Sequence, residues 1–173
     1  MKNSLKKYFE KLERLYLEKL NTKPTVPYFE NCNLFISEPD EDDEAEWLPK
    51  EIEYIELNIN KDLSNELYEF YTSYYYLHLA GMYKNIEFYF HNNMHSNDAI
   101  NNIAKQEISD GQYYFKDEDC VLIGNAIKDG NDSLLVFYDN KSLNVFLYDQ
   151  DFNKKIEGSF KLTEIIENLV PIF

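Results

Sequence analysis

Cysteine is scarce: Cys32 and Cys120 are the only two in 173 residues, too few for a disulfide framework, so a reducing compartment suits the chain. Glycine is nearly as sparse, and the five present fall in no phosphate-cradling pattern, which leaves no nucleotide loop. No apolar run approaches the length of a membrane-spanning helix. The opening stretch, Met1 to Phe9, is interrupted by Lys6 and Lys7 and carries no signal-peptide core. Basic residues are in short supply, 17 Lys and Arg against 32 Asp and Glu, for a net charge of −15. That shortage argues against nucleic acid, because affinity for phosphate backbones comes from Lys and Arg displacing counterions, and it disfavours direct contact with an anionic membrane. The expectation is a cytoplasmic protein that reaches a membrane only through a partner.

What is abundant is apolar and aromatic. Hydrophobic residues make up 44% and aromatics 16%, well above a disordered chain, so the charge coexists with a folded core rich in Tyr and Phe. The length fits one domain over residues 1–173. Leu5, Tyr8, Phe9, Leu12, Leu15, Tyr16 and Leu20 recur at helical steps, with Ser4 as N-cap, and the helix stops before Pro24 and Pro27. Asn33 to Ser37 reads as a short strand. Glu38, Asp40, Glu41, Asp42, Asp43, Glu44 and Glu46 then crowd one stretch, which repulsion is expected to keep extended and solvated. Trp47 follows and is expected to anchor that stretch to the body of the protein through its large apolar area.

Residues 52–59 are ambiguous between strand and connector. Asp62 or Ser64 caps a helix reaching about Leu79, with Leu67, Phe70, Tyr71, Tyr74 and His78 inward and Gly81 as its stop. Ile86 to Phe90 alternates as a strand, and Ser96 and Asp98 open a helix closed near Gly111. Residues 121–127, 134–138 and 143–148 form a β-meander through Asp129-Gly130 and Asp139-Asn140 turns. Leu134 to Tyr138 is apolar throughout, the mark of a strand covered on both faces. Thr163 caps a last helix ended by Pro171. The fold class is α+β: an antiparallel sheet or meander flanked by about four helices.

No constellation for chemistry emerges. His91 and His95 are four apart but lack the intervening Glu of a metalloprotease helix, and His78 sits among tyrosines as a core or boundary histidine. Asp117, Glu118 and Asp119 precede Cys120 and would raise its pKa, the reverse of what a nucleophilic thiol needs. Asp129 to Asp132 lacks the rest of a calcium loop and reads as a hairpin turn. No catalytic residue, metal ligand or cofactor site is assigned. A hydrolase would require an enclosed pocket with two or more carboxylates of shifted pKa.

Phe70-Tyr71-Thr72-Ser73-Tyr74, Leu79-Ala80-Gly81-Met82 and the strand Ile86 to Phe90 are similar to the corresponding region of the Syd (SecY-interacting protein) family, with Trp47 and Pro49 ahead of them as in that family. Ile123-Gly124, Gly130-Asn131-Asp132, Leu134 to Asp139, Val145 to Tyr148 and Phe160 to Ile165 resemble the wider SUKH superfamily. The family's Gln-Phe-Ala-Gly is matched only at Ala80-Gly81. The resemblance implies a scaffold that presents a concave acidic surface to a basic protein. In Syd that partner is the set of cytoplasmic SecY loops on the inner membrane; in many SUKH proteins it is a toxin, often a nuclease, which they neutralise. Glu38, Asp40, Glu41, Asp42, Asp43, Glu44, Glu46 and Trp47 are the expected partner-binding residues, the acids steering encounter and the tryptophan supplying affinity.

Overall fold

The computed structural model describes residues 1–172, with residues 157 and 158 described in their backbone alone. Helix α1 (Lys2–Leu20) turns Leu5, Tyr8, Phe9, Leu12 and Tyr16 inward, as the helical spacing requires. It begins ahead of Ser4, which is buried inside it, and Met1 holds the cap position without a side-chain bond. Asn21, left-handed at φ 59°, ends it. Strand β1 (Thr25–Pro27) pairs antiparallel with β2 (Glu44–Glu46), Thr25 facing Glu46 and Pro27 facing Glu44. The strand expected over Asn33 to Ser37 reduces to one bridge, between Phe35 and Trp47.

After β3 (Lys50–Glu51), Ser64 caps α2 (Asn65–Thr72) by accepting the Leu67 N–H at 3.3 Å. The helix ends well short of Leu79. Three consecutive aromatics, Tyr74 to Tyr76, leave it, and β4 (Tyr74–Tyr75) pairs with β3, so β-propensity prevails over the continuing helical pattern. His78 therefore lies in a connector, and Gly81 lies within β5 (Ala80–Tyr83). A Cβ there would sit 2.4 Å from the Val170 carbonyl oxygen, so glycine serves close strand packing and not helix termination. Lys84 and Asn85, both at positive φ, turn the chain into β6 (Ile86–Phe90).

Helix α3 (Asn97–Tyr114), capped by Ser96, runs past the expected stop at Gly111. Beyond it come β7 (Cys120–Lys128), β8 (Asn131–Asp139), β9 (Asn144–Asp149), β10 (Lys154–Phe160), α4 (Leu162–Asn168) and β11 (Val170–Pro171). One antiparallel sheet of seven strands results, in the order β10-β9-β8-β7-β6-β5-β11. Strands β10 and β11 have no counterpart in the sequence reading; β10 is largely polar, and β11 holds the Pro171 expected merely to end a helix. Helix α4 is not capped by Thr163. Its N-cap is Lys161, and Glu66 of α2 instead takes the Thr163 N–H at 2.9 Å and hydroxyl at 2.5 Å, placing a carboxylate at the helix's positive end.

Side chains alternate across the middle of the sheet. Val121, Ile123, Leu134, Val136, Tyr138, Val145 and Leu147 join the main core with α1, α2 and α4, while Cys120, Leu122, Leu135, Phe137, Phe146 and Tyr148 form a second cluster on the other face. Tyr114 and Phe115 at the end of α3 cover that cluster. Every residue from Leu134 to Tyr138 is buried, so β8 is indeed covered twice. The architecture is α+β.

Gly111 permits this covering. A Cβ at that position would lie 2.1 Å from the Cys120 carbonyl oxygen, so α3 rests on the backbone of β7 only because no side chain intervenes. A Gly→Ala change inside a helix ordinarily stabilises by about 1 kcal/mol. Here the sign reverses: Gly111→Ala forces α3 off β7 and is expected to destabilise by roughly 1–3 kcal/mol, read as a lower midpoint in urea unfolding. An unchanged or higher midpoint would refute the contact.

Candidate functional site

The acidic stretch is a built turn, not an extended loop. The Asp40 carboxylate accepts the backbone N–H groups of Asp42 at 2.9 Å and Glu44 at 3.0 Å, and the Asp40 N–H donates to the Glu44 carbonyl at 2.8 Å. Asp43 adopts φ 59°, the left-handed conformation that aspartate tolerates. Water and salt screen repulsion between exposed carboxylates, and local hydrogen bonds of about 1 kcal/mol each outweigh it. Glu44 accepts the Thr25 hydroxyl at 2.8 Å and Glu46 accepts the Lys23 N–H at 3.1 Å; both are half-buried beside β1. Of the seven acids, Glu38, Asp40, Glu41, Asp42 and Asp43 are exposed.

Trp47 corrects the expectation most sharply. It is fully buried against Phe9, with ring centroids 6.4 Å apart, and so offers no surface to a partner. The exposed apolar groups beside the turn are instead Tyr28 and Ile36. Their backbone N–H groups donate to the Asp43 and Glu46 carbonyls at 2.8 and 2.9 Å. Neither is distinguished in the sequence, because which aromatic stays outside is decided by packing between distant segments.

The ion pairs among the described residues lie elsewhere. Lys2 meets Glu51, Lys7 meets Glu167, Lys61 meets Asp119, Lys84 meets Glu164 and Lys155 meets Glu118. None of these cations reaches the five exposed acids.

A second group of ionisable residues lies inside the molecule. Glu107 of α3 is 1% exposed; its Oε2 accepts the hydroxyl of fully buried Tyr71, and its Oε1 accepts His91 Nδ1–H at 2.5 Å. A cleft of about 280 Å³ opens beside it, lined by His91, Asn92, Ile103, Gln106, Glu107 and Asp110. Glu107 follows Ile100 by seven residues and Ile103 by four, so an acid on the apolar stripe of α3 was the available signal. His95, four residues from His91, turns away to the Asn93 carbonyl and the Phe29 ring. Among the described residues no cluster could hold a metal ion. The Cys120 thiol is pushed up to about 12, first by burial and then by Asp139 and Glu118.

Burial raises Glu107 above the ordinary carboxylate range despite the opposing bonds from His91 and Tyr71. Burial alone would lower His91, but its hydrogen bond to Glu107, the charge of Glu107 and that of Asp110 together raise it above its ordinary 6.5. Both shifts mean that the folded pair holds more proton than the unfolded chain. Its stabilising contribution is therefore complete below the unfolded values and is lost as pH rises through the folded ones. Thermal melting between pH 5.5 and 8.5 should show a decline as pH passes 6.5, and His91→Gln should flatten it. A variant with the wild-type slope would exclude the pair as its source.

No protein-family model matches the chain, and no curated protein does. No helix among the described residues is long and apolar enough to cross a membrane.

Proposed function

We propose that this chain is a non-catalytic binding protein of the Syd kind, which uses its acidic turn to engage basic segments of another protein. The cytoplasmic loops of SecY are the partner the Syd resemblance implies, and docking on them would hold the chain at the cytoplasmic face of the inner membrane. One observation carries the reading. Five carboxylates are exposed together on a turn that its own hydrogen bonds hold in shape, with no cation among the described residues paired to them, while Lys2 and Lys61 are engaged elsewhere. A pre-shaped turn loses less entropy on binding than a flexible loop, and its field accelerates encounter with a basic surface. Cytoplasmic loops of membrane proteins are rich in Lys and Arg, as is the substrate cleft of a nuclease, so the same surface also suits the toxin-neutralising role of the SUKH superfamily.

Glu107 has no place in this reading as a catalyst. Both of its oxygens are engaged, one by Tyr71 and one by His91, and it fastens α2, α3 and the end of β6 together.

The test keeps Asp40, which organises the turn, and changes Glu38→Gln, Glu41→Gln, Asp42→Asn and Asp43→Asn together. Wild-type protein should retain SecY from detergent-solubilised membranes, with association slowing steeply as the Debye length falls from about 30 Å at 0.01 M salt to about 8 Å at 0.15 M. The substituted protein should associate at least tenfold more slowly at low salt. Equal capture by both proteins would sink the role given to the turn. Rescue of cells from a co-encoded nuclease toxin, with no capture of SecY, would assign the toxin as partner.

A further inference from the structure

Two clefts, of about 370 and 360 Å³, lie side by side along β1 and share Val26, Pro27 and His78 as walls. One extends toward Leu20 of α1 and Glu44; the other extends toward Tyr28 and Phe29. The shared walls place the two next to each other as one candidate groove. Leu20 and Tyr28 stand at its two ends, 56% and 42% exposed. The walls carry no lysine or arginine. Glu44 is the charged side chain on them, and burial holds His78 below its ordinary 6.5, hence neutral at cellular pH. The acidic turn adjoins both ends: Glu44 belongs to its closing strand, and the Tyr28 N–H is bonded to Asp43.

We infer that this groove seats the apolar side chains of an extended basic segment, whose flanking lysines or arginines meet the turn. The inference rests on the binding role proposed above and names what the acids alone cannot supply. Surface carboxylates give rate and orientation but little affinity, because each exposed ion pair contributes under about 1 kcal/mol. Apolar side chains lowered into desolvated clefts give the affinity. With Trp47 buried, the groove offers such contacts beside the turn, and the charge around it selects a cationic occupant over a neutral one.

Three fluorescent peptides test this: a lysine-rich peptide with a central Leu-Phe pair, the same peptide with Ser-Ser in its place, and a Leu-Phe peptide with serines for lysines. Wild-type protein should bind the first at least tenfold more tightly than either of the others. Leu20→Ser and Tyr28→Ser, at exposed positions, should weaken the first about fivefold to tenfold and leave the Ser-Ser peptide unchanged, which also shows the fold to be intact. If both lysine peptides bind alike and the two variants change nothing, the groove is overturned while the acidic turn stands. Equal binding of the serine-flanked Leu-Phe peptide overturns the cationic occupant. Failure of both lysine peptides to bind at low salt removes the binding role, and the groove with it.

Discussion

A chain with 32 acids and 17 bases can close around a core only if its like charges are separated, neutralised or held in water. The structure uses each device in a different place. Lysines are placed between elements that are remote in sequence: Lys7 of α1 on Glu167 of α4, Lys61 ahead of α2 on Asp119 before β7, Lys155 of β10 on Glu118. Individually such surface pairs contribute little, but they keep carboxylates from facing one another across the seams. Other acids stand in water, five of them together on the Glu38–Asp43 turn, where the solvent screens them. The surface proposed for recognition is thus one of the places where charge left over from folding stands in water.

Glu107 is the exception that had to be accommodated inside. An unpaired buried carboxylate costs several kcal/mol, so its two partners must arrive from different elements, Tyr71 from α2 and His91 from just past β6. The same logic at smaller cost operates at Glu66, whose carboxylate caps α4 and also receives the Tyr138 hydroxyl of β8 at 3.0 Å. Two acids of the helical layer therefore act as fixed acceptors that set how α2 sits against α3, α4 and the sheet.

Elements defined by local pattern were legible in the residues. The stripe of α1, the Ser64 and Ser96 caps, the alternation of Ile86 to Phe90 and the doubly covered β8 all follow from spacing within one segment. What depends on distant partners was not legible. Gly81 and Gly111 read as helix stops because their real role, close approach to Val170 and Cys120, exists only after folding. The α2 pattern overran because Tyr74 to His78 keep helical spacing even though Tyr74 and Tyr75 find strand partners at Lys50 and Glu51. Trp47 after the acidic stretch read as its anchor to the body, which burial against α1 bears out, and also as a partner-binding residue, which the same burial excludes. The acids of the turn were plain in the sequence; the Asp40 hydrogen bonds that shape them were not.

The two borders of the seven-stranded sheet bear on how anything can dock here. On one side β10 is broken by two register shifts and carries Lys154 and Lys155; on the other β11 is two residues long and ends in Pro171, which has no N–H to donate. Neither border offers a smooth row of backbone donors and acceptors on which a foreign strand could polymerise. Concentrated solutions of this protein should thus resist fibril growth from the sheet, and a visitor must be read through side chains.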